Sequence, residues 1–154
     1  MTVSRSVHVE APARKVWDLV SDLPGMGRLS PENTGGAWRK GATGPAVGAV
    51  FKGSNRNGFR RWSTSVKVLR CEPGTTFAFT VSSVAGIPVS EWSYDIAPAG
   101  DGACQVTETW TDRRPGWFKG PAGLVTGVMT RDDSTTAENI EKTLAAVKAV
   151  AERP

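Results

Sequence analysis

The sequence predicts an α+β fold: a seven-stranded curved antiparallel sheet wrapped around a long C-terminal helix, with two short helices after the first strand. Three observations support it. Apolar residues alternate with a period of two near the N-terminus and again between residues 33 and 113. A helical period appears twice, briefly after the first strand and again over the last third of the chain. Short turns separate the strand segments, which is typical of an antiparallel meander.

The first strand and the two short helices occupy the first thirty residues. Val3–Glu10 alternates between apolar and polar side chains and predicts the strand. Ala11-Pro12-Ala13 starts a helix, because proline suits the first helical turn, where its missing N–H group has no partner to lose. An apolar stripe then follows at helical spacing, formed by Val16, Trp17 and Val20. Turn residues on both sides of 26–29 bound a second short helix.

Six further strands are predicted in the middle of the chain. Their approximate ranges are 34–38, 47–55, 60–71, 77–81, 87–97 and 104–112. Asn57-Gly58 predicts the tight hairpin between the second and third of these, since both residues tolerate positive φ. Cys71 and Cys104 fall within predicted strands, and we expect both thiols to be free.

The last third of the chain predicts one long helix over residues 121–151. Its apolar residues recur at helical spacing and would pack on the sheet. The polar stretch 130–136 interrupts the stripe, so a break near residues 132–134 is the alternative to one continuous helix.

Length and composition favour a single domain over residues 1–154. No window approaches the roughly 18 unbroken apolar residues of a membrane span. The N-terminus has no apolar segment of the signal-peptide kind, so we expect a cytoplasmic protein.

The polar composition argues against several kinds of site. One histidine and two distant cysteines do not make the closely spaced pairs of a metal site, so we expect neither a metal nor another cofactor. The net charge of +4 is mild. Basic residues cluster at 56–61 and 113–119, but no nucleic-acid-binding motif accompanies them, and we expect no nucleic-acid partner.

Three segments resemble a known superfamily: Ser6–Asp22, a strand followed by Ala-Pro and an apolar helix, with Ser30–Trp38 and Gly53–Trp62. Here the chain resembles the START-like, polyketide cyclase/dehydrase-like and birch-pollen-allergen-like proteins, often labelled SRPBCC. The resemblance extends over essentially the whole chain. It implies a helix-grip fold with a pocket between the sheet and the long helix, and a small apolar or aromatic ligand such as a lipid, sterol or polyketide.

Strand alternation predicts which side chains face that pocket. Ordinary core packing is the alternative for the aromatic members, although Trp62, Trp92 and Trp110 could instead form a stacking wall for a planar ligand. On the helix, Arg131 is either solvated or reaches a ligand carboxylate at the pocket mouth. The predicted ligand-binding residues are Phe51, Asn55, Trp62, Thr64, Phe77, Phe79, Trp92, Tyr94, Trp110, Leu124, Val128 and Arg131.

Glu108 is the candidate catalytic residue. It lies between Val106 and Trp110 in an alternating strand, so an inward orientation would surround its carboxylate with apolar groups and raise its pKa. Such a group could act as an acid or base, or bind a ligand hydroxyl or amine. The alternative is a bulge or register shift that leaves Glu108 at the rim, paired with an arginine.

Three functions remain open from the sequence. The first is binding or carriage of a hydrophobic small molecule by a monomer or homodimer. The second is an aromatase/cyclase-type enzyme; the resemblance implies a pocket arginine there, and alignment through Trp62 places Val66 at that position. The third is a protein-interaction module that uses the basic hairpin at residues 56–61 as its contact surface.

Overall fold

The computed structural model describes residues 2–31, 33–83, 85–119 and 133–154. The elements follow the predicted order of strand, short helices, six strands and helix, with one further short helix, which was not predicted, before the last one. They are β1 (Thr2–Val9), α1 (Ala13–Ser21), a 3₁₀ helix (Leu23–Arg28), β2 (Asn33–Arg39), β3 (Val50–Asn57), β4 (Arg60–Glu72), β5 (Thr76–Ser83), β6 (Pro88–Pro98), β7 (Cys104–Asp112), a second 3₁₀ helix (Gly116–Lys119) and α2 (Asp133–Ala151).

The seven strands form one antiparallel sheet in the order β1-β7-β6-β5-β4-β3-β2. Strands β2 to β7 are a meander, and β1 joins it through β7. Gly58 has φ of 62° at the β3–β4 turn, which confirms the hairpin predicted from Asn57-Gly58.

Two boundaries differ from the prediction by three residues. β3 starts at Val50 rather than Val47, because residues 46–49 form a turn closed by a hydrogen bond from the Ala49 amide to the Ala46 carbonyl. The second short helix starts at Leu23 rather than Met26, because the Asp22 side chain accepts a hydrogen bond from the Gly25 amide and caps the helix there.

Helix α2 lies along β1 and runs in the same direction, since residues 141, 148 and 152 contact residues 5, 8 and 10 in turn. Glu152 Oε1 accepts a hydrogen bond from the Glu10 amide at 2.8 Å, and Lys148 Nζ donates to the His8 carbonyl at 2.9 Å. Closer to the start of the helix, Arg5 Nε contacts Glu141 Oε1 at 3.2 Å. The helix buries residues at i, i+3 and i+4 spacing, namely Thr136, Ile140, Thr143, Leu144, Val147 and Ala151. The predicted first part of this helix, 121–132, lies outside the described residues.

Helix α1 closes one end of the concave side of the sheet. Its apolar stripe of Val16, Trp17 and Val20 is buried, as the spacing predicted. Trp17 Nε1 donates to the Thr76 carbonyl at 3.0 Å, and its ring packs edge-on against Phe77 with centroids 6.3 Å apart. Burying side chains of this size stabilises the fold by about 1.5–3 kcal/mol each.

The structure also bears on cysteines, metals and membranes. Cys71 and Cys104 are free thiols, as predicted. Within the described ranges, no three His, Cys, Asp or Glu side chains are grouped as metal ligands would be. Among the same residues, no helix is long and apolar enough to cross a membrane.

Candidate functional site

The concave face of the sheet has a packed part and a half-buried part. Cross-strand register places the predicted aromatic residues on this one face. The packed part contains Phe51, Phe77, Phe79, Tyr94 and Trp110, all buried. The half-buried part lies toward the β3–β4 turn and contains Asn55, Trp62, Thr64 and Trp92. Side chains therefore fill part of the concave face and leave the rest partly open to solvent.

Glu108 lies within the packed part and is 1% exposed. Strand β7 alternates without interruption, so Val106, Glu108 and Trp110 all face inward. Both neighbouring strands pair with β7 without a register shift, which puts Tyr94 on one side of Glu108 and Arg5 on the other. The alternative of a rim position paired with an arginine is wrong, because Arg5 turns away to Glu141 and to the Ser4 carbonyl.

Burial controls the electrostatics of this carboxyl group. Removal from water raises the pKa of Glu108 to about 8, and the hydrogen bond from Tyr94 only partly opposes this effect. Tyr94 donates its hydroxyl to Glu108 Oε1 at 2.9 Å. Burial, reinforced by the nearby Glu108 carboxyl, raises the pKa of Tyr94 well above its ordinary value. At pH 7 Glu108 is therefore mostly a neutral carboxylic acid.

The two carboxyl oxygens of Glu108 differ in their hydrogen bonding. Oε2 is buried and has no hydrogen-bond partner among the described residues, whereas Oε1 accepts from Tyr94. An unpaired buried polar atom costs about 1–3 kcal/mol, so a group that completes its hydrogen bond is favoured. The protonated acid can donate from Oε2 to a carbonyl or hydroxyl oxygen.

A second polar atom without a partner faces the sheet from α2. Thr136 Oγ1 is fully buried and unpaired within the described part of the chain. Glu141 contacts Arg5, and Thr136 lies about 1.4 helical turns before Glu141. The parallel course of α2 along β1 therefore places Thr136 near the level of Val3, the register partner of Trp110. Thr136 was not among the predicted site residues, although its spacing of four residues from Ile140 indicates the buried face of the helix.

A pocket of about 490 Å³ lies at the β3–β4 hairpin. The predicted residues Asn55 and Trp62 line it, but four of its other members come from the opposite, outer face of the sheet. Asn55 Nδ2 also donates to Thr64 Oγ1 at 3.2 Å. This pocket is therefore distinct from the predicted one between the sheet and the C-terminal helix. Its outer-face lining residues are Ser54, Arg56, Arg61 and Ser63, with Thr34 from β2 beside them.

The predicted tryptophan wall is distributed over separate strands. Trp92 and Trp110 are register partners on β6 and β7, and Trp92 Nε1 donates to Ser90 Oγ at 3.1 Å. Trp62 lies two strands away on β4. Three of the predicted ligand-binding residues, Leu124, Val128 and Arg131, lie outside the described residues.

Solved structures with this fold come from several sources. A Polyketide_cyc-like protein of Corynebacterium glutamicum is similar at 28% identity and a TM-score of 0.65, with 98% of this chain and 91% of that chain covered. A START superfamily protein of Mycobacterium smegmatis is similar at 16% identity and a TM-score of 0.69, with 98% and 97% covered. The di-domain ARO/CYC of the steffimycin biosynthetic pathway is similar at 14% identity and a TM-score of 0.70, with 98% and 44% covered.

Sequence comparison identifies the family. No curated protein matches the sequence significantly. The family described as polyketide cyclase / dehydrase and lipid transport matches residues 1–152. The helix-grip architecture seen here, a curved antiparallel sheet with a C-terminal helix, agrees with that match. The chain therefore belongs to the polyketide cyclase/dehydrase and lipid transport family.

Proposed function

We propose that the protein binds or carries a largely apolar small molecule, such as a lipid, sterol or polyketide, on the concave face between the sheet and the C-terminal helix. Glu108 is the polar anchor of this site. Family membership supports binding of a small hydrophobic ligand. The observation that carries the proposal is the buried Glu108 Oε2, which has no partner among the described residues.

The surroundings of Glu108 define the class of ligand. Aromatic and aliphatic side chains make up most of the concave face, so most of the ligand surface is apolar. The described concave-face positions include two cations: Arg5, which is occupied by Glu141, and Arg60, which lies at the β3–β4 turn, three strands away from Glu108. A ligand carboxylate at Glu108 would have no positive partner there. A neutral carbonyl or hydroxyl oxygen matches the donor that protonated Glu108 offers.

Paired ligands test this proposal. A sterol ketone and the same ring system without the ketone would be titrated against the protein and followed by tryptophan fluorescence. We expect the ketone to bind about tenfold or more tightly, since its oxygen satisfies a buried donor. Failure of both compounds and of a fatty-acid and polyketide panel would refute carriage.

Two substitutions at one position separate the anchor from general packing. Glu108→Gln keeps an N–H donor at the place of Oε2 and should retain the preference for the ketone. Glu108→Leu has similar bulk but no donor, so both compounds should bind it with nearly equal affinity. A ketone preference unchanged in Glu108→Leu would show that Glu108 is not the anchor.

A cyclase-type reaction is the second candidate, and one observation favours it. A carboxylic acid with a pKa of about 8, hydrogen-bonded to Tyr94, is suited to proton transfer near neutral pH. The pocket arginine implied by the resemblance would fall at Val66, which is buried and apolar here. Acid–base work would therefore rest on Glu108, with Tyr94 orienting it. Turnover of a poly-β-ketone substrate that survived Glu108→Gln would exclude this mechanism.

A further inference from the structure

The hairpin between β3 and β4 exposes an aromatic side chain among arginines. We call residues 56–61 the basic hairpin. Phe59, at its tip, is 105% exposed, as much as in an isolated peptide. Arg56, Arg60 and Arg61 are also exposed. An exposed phenylalanine side chain forgoes the stabilisation that burial would give it. The folding of the chain therefore does not explain why an apolar tip is exposed among positive charges.

The positive charges of the basic hairpin do not stabilise the sheet. Arg56 and Arg61 are direct register partners, and like charges placed opposite each other destabilise a strand pair. The arginines that follow β7 differ, since Arg113 pairs with Glu91 and Arg114 with Asp112. Arg56 and Arg61 have no carboxylate partner in the described part of the chain. Their positive charge is therefore available to an external anion.

The pocket beside these arginines has the chemistry of a phosphate site. Its lining combines the guanidinium groups of Arg56 and Arg61 with the hydroxyl-bearing residues Thr34, Ser54 and Ser63. Guanidinium groups bind phosphate oxygens through paired N–H donors, and hydroxyl groups add further donors. The described lining contains no acidic residue that would repel an anion.

A second exposed aromatic residue lies toward the same end of the molecule. Strand β3 ends, β4 begins and β7 ends at this end of the sheet, as the strand pairing shows. Trp117 lies in the short 3₁₀ helix that follows β7 and is 64% exposed. Exposed aromatic side chains therefore come from two separate connections at one end of the sheet, and the basic hairpin adds arginines to one of them. Such an arrangement suits an extended surface better than a narrow cleft.

We propose that the basic hairpin docks the protein on an anionic phospholipid bilayer. Phe59 enters the boundary between headgroups and acyl chains, while Arg56 and Arg61 bind lipid phosphates at the pocket. A bilayer accepts a protruding ring without a preformed complementary cavity, whereas a folded protein partner would have to supply one. Docking involves no residue of the Glu108 site, so it does not depend on which molecule the concave face binds.

Vesicle co-sedimentation tests the proposal with the whole chain and no added ligand. Phosphatidylcholine vesicles containing phosphatidylglycerol should bind the protein, and pure phosphatidylcholine vesicles should bind it far more weakly, with a strong salt dependence. We expect Arg56→Gln/Arg61→Gln to weaken binding by about 30-fold. Phe59→Ser should weaken it by about tenfold.

Matched controls use exposed residues elsewhere in the same two strands and in the turn that precedes β3. Lys52→Gln/Lys67→Gln removes two charges from the same two strands, away from the turn. Val47→Ser removes an apolar side chain, 69% exposed, at the opposite end of β3. Both should retain most of the vesicle binding. Equal losses in these controls, or equal binding to neutral and anionic vesicles, would overturn the proposal. The proposal would also be overturned if the protein did not bind vesicles but bound an acidic polypeptide in a way that depended on Phe59. That result would favour a protein partner.

Discussion

Replacing Glu108 by glutamine should make the protein more stable at pH 8 while leaving it nearly unchanged at pH 5. In the unfolded chain this carboxyl titrates at its ordinary pKa of 4.5, but burial raises its pKa in the folded protein to about 8. Between these values the folded state keeps a proton that the unfolded state has lost. The free energy of unfolding therefore falls as pH rises through this window, and the loss levels off above pH 8.

The magnitude follows from the two pKa values. Each pH unit inside the window lowers the free energy of unfolding by about 1.4 kcal/mol. The interval between 4.5 and about 8 then corresponds to about 4–5 kcal/mol, of which about 3–4 kcal/mol falls between pH 5 and pH 8. A glutamine side chain cannot ionise, so the Glu108→Gln variant should lack this part of the pH dependence.

Urea unfolding at a series of pH values measures the effect. The quantity of interest is the difference in free energy of unfolding between wild type and Glu108→Gln, because contributions from all other groups cancel in it. Glu138→Gln is the control, since Glu138 is exposed on α2. A difference that stayed constant between pH 5 and pH 8 would refute the claim that Glu108 is folded into the core as a neutral acid.

Three further substitutions have defined outcomes. Tyr94→Phe removes the hydrogen bond that lowers the pKa of Glu108, so the carboxyl pKa measured by ¹³C NMR should rise further; an unchanged or lower value would contradict this. Gly36→Ala should destabilise the fold by about 2 kcal/mol or more in urea unfolding, because Gly36 has a φ of 149° and an added Cβ would collide with the Lys52 carbonyl oxygen. Gly44→Ala is the control and should cost little, since the space around Gly44 is open. Ile140→Ala should cost about 2–5 kcal/mol, because this fully buried side chain packs α2 on the sheet; a loss below about 1 kcal/mol would show loose packing there.

Periodicity made the fold predictable from the sequence. Alternation along the strands fixed both the existence of the sheet and the face on which Glu108 lies, because side chains on a strand point alternately to its two sides. The ends of the strands were harder to predict from the sequence. The alternation of apolar residues predicts that the strand begins at Val47, but a hydrogen bond from the Ala49 amide to the Ala46 carbonyl forms a turn there instead.

The details of the site depended on contacts that no local pattern encodes. Alternation placed Glu108 and Tyr94 on the same face, but whether both carboxyl oxygens find partners depends on the orientation of the side chains. The pocket at the hairpin joins residues from both faces of β3 and β4, and parity alone assigns those residues to separate surfaces. Parity therefore assigned Asn55 and Trp62 to the concave face and gave no sign that Ser54, Arg56, Arg61 and Ser63 line a pocket together with them.

The pKa of Glu108 measured with and without an apolar ketone tests the central proposal most directly. The ¹³C signal of the Glu108 carboxyl would be followed against pH in both states. We expect a pKa near 8 in the free protein and a higher value in the complex, because a ligand that accepts a hydrogen bond from Oε2 stabilises the protonated acid. A pKa near 4.5, or one that does not change when the ketone binds, would contradict the assignment of Glu108 as the polar anchor.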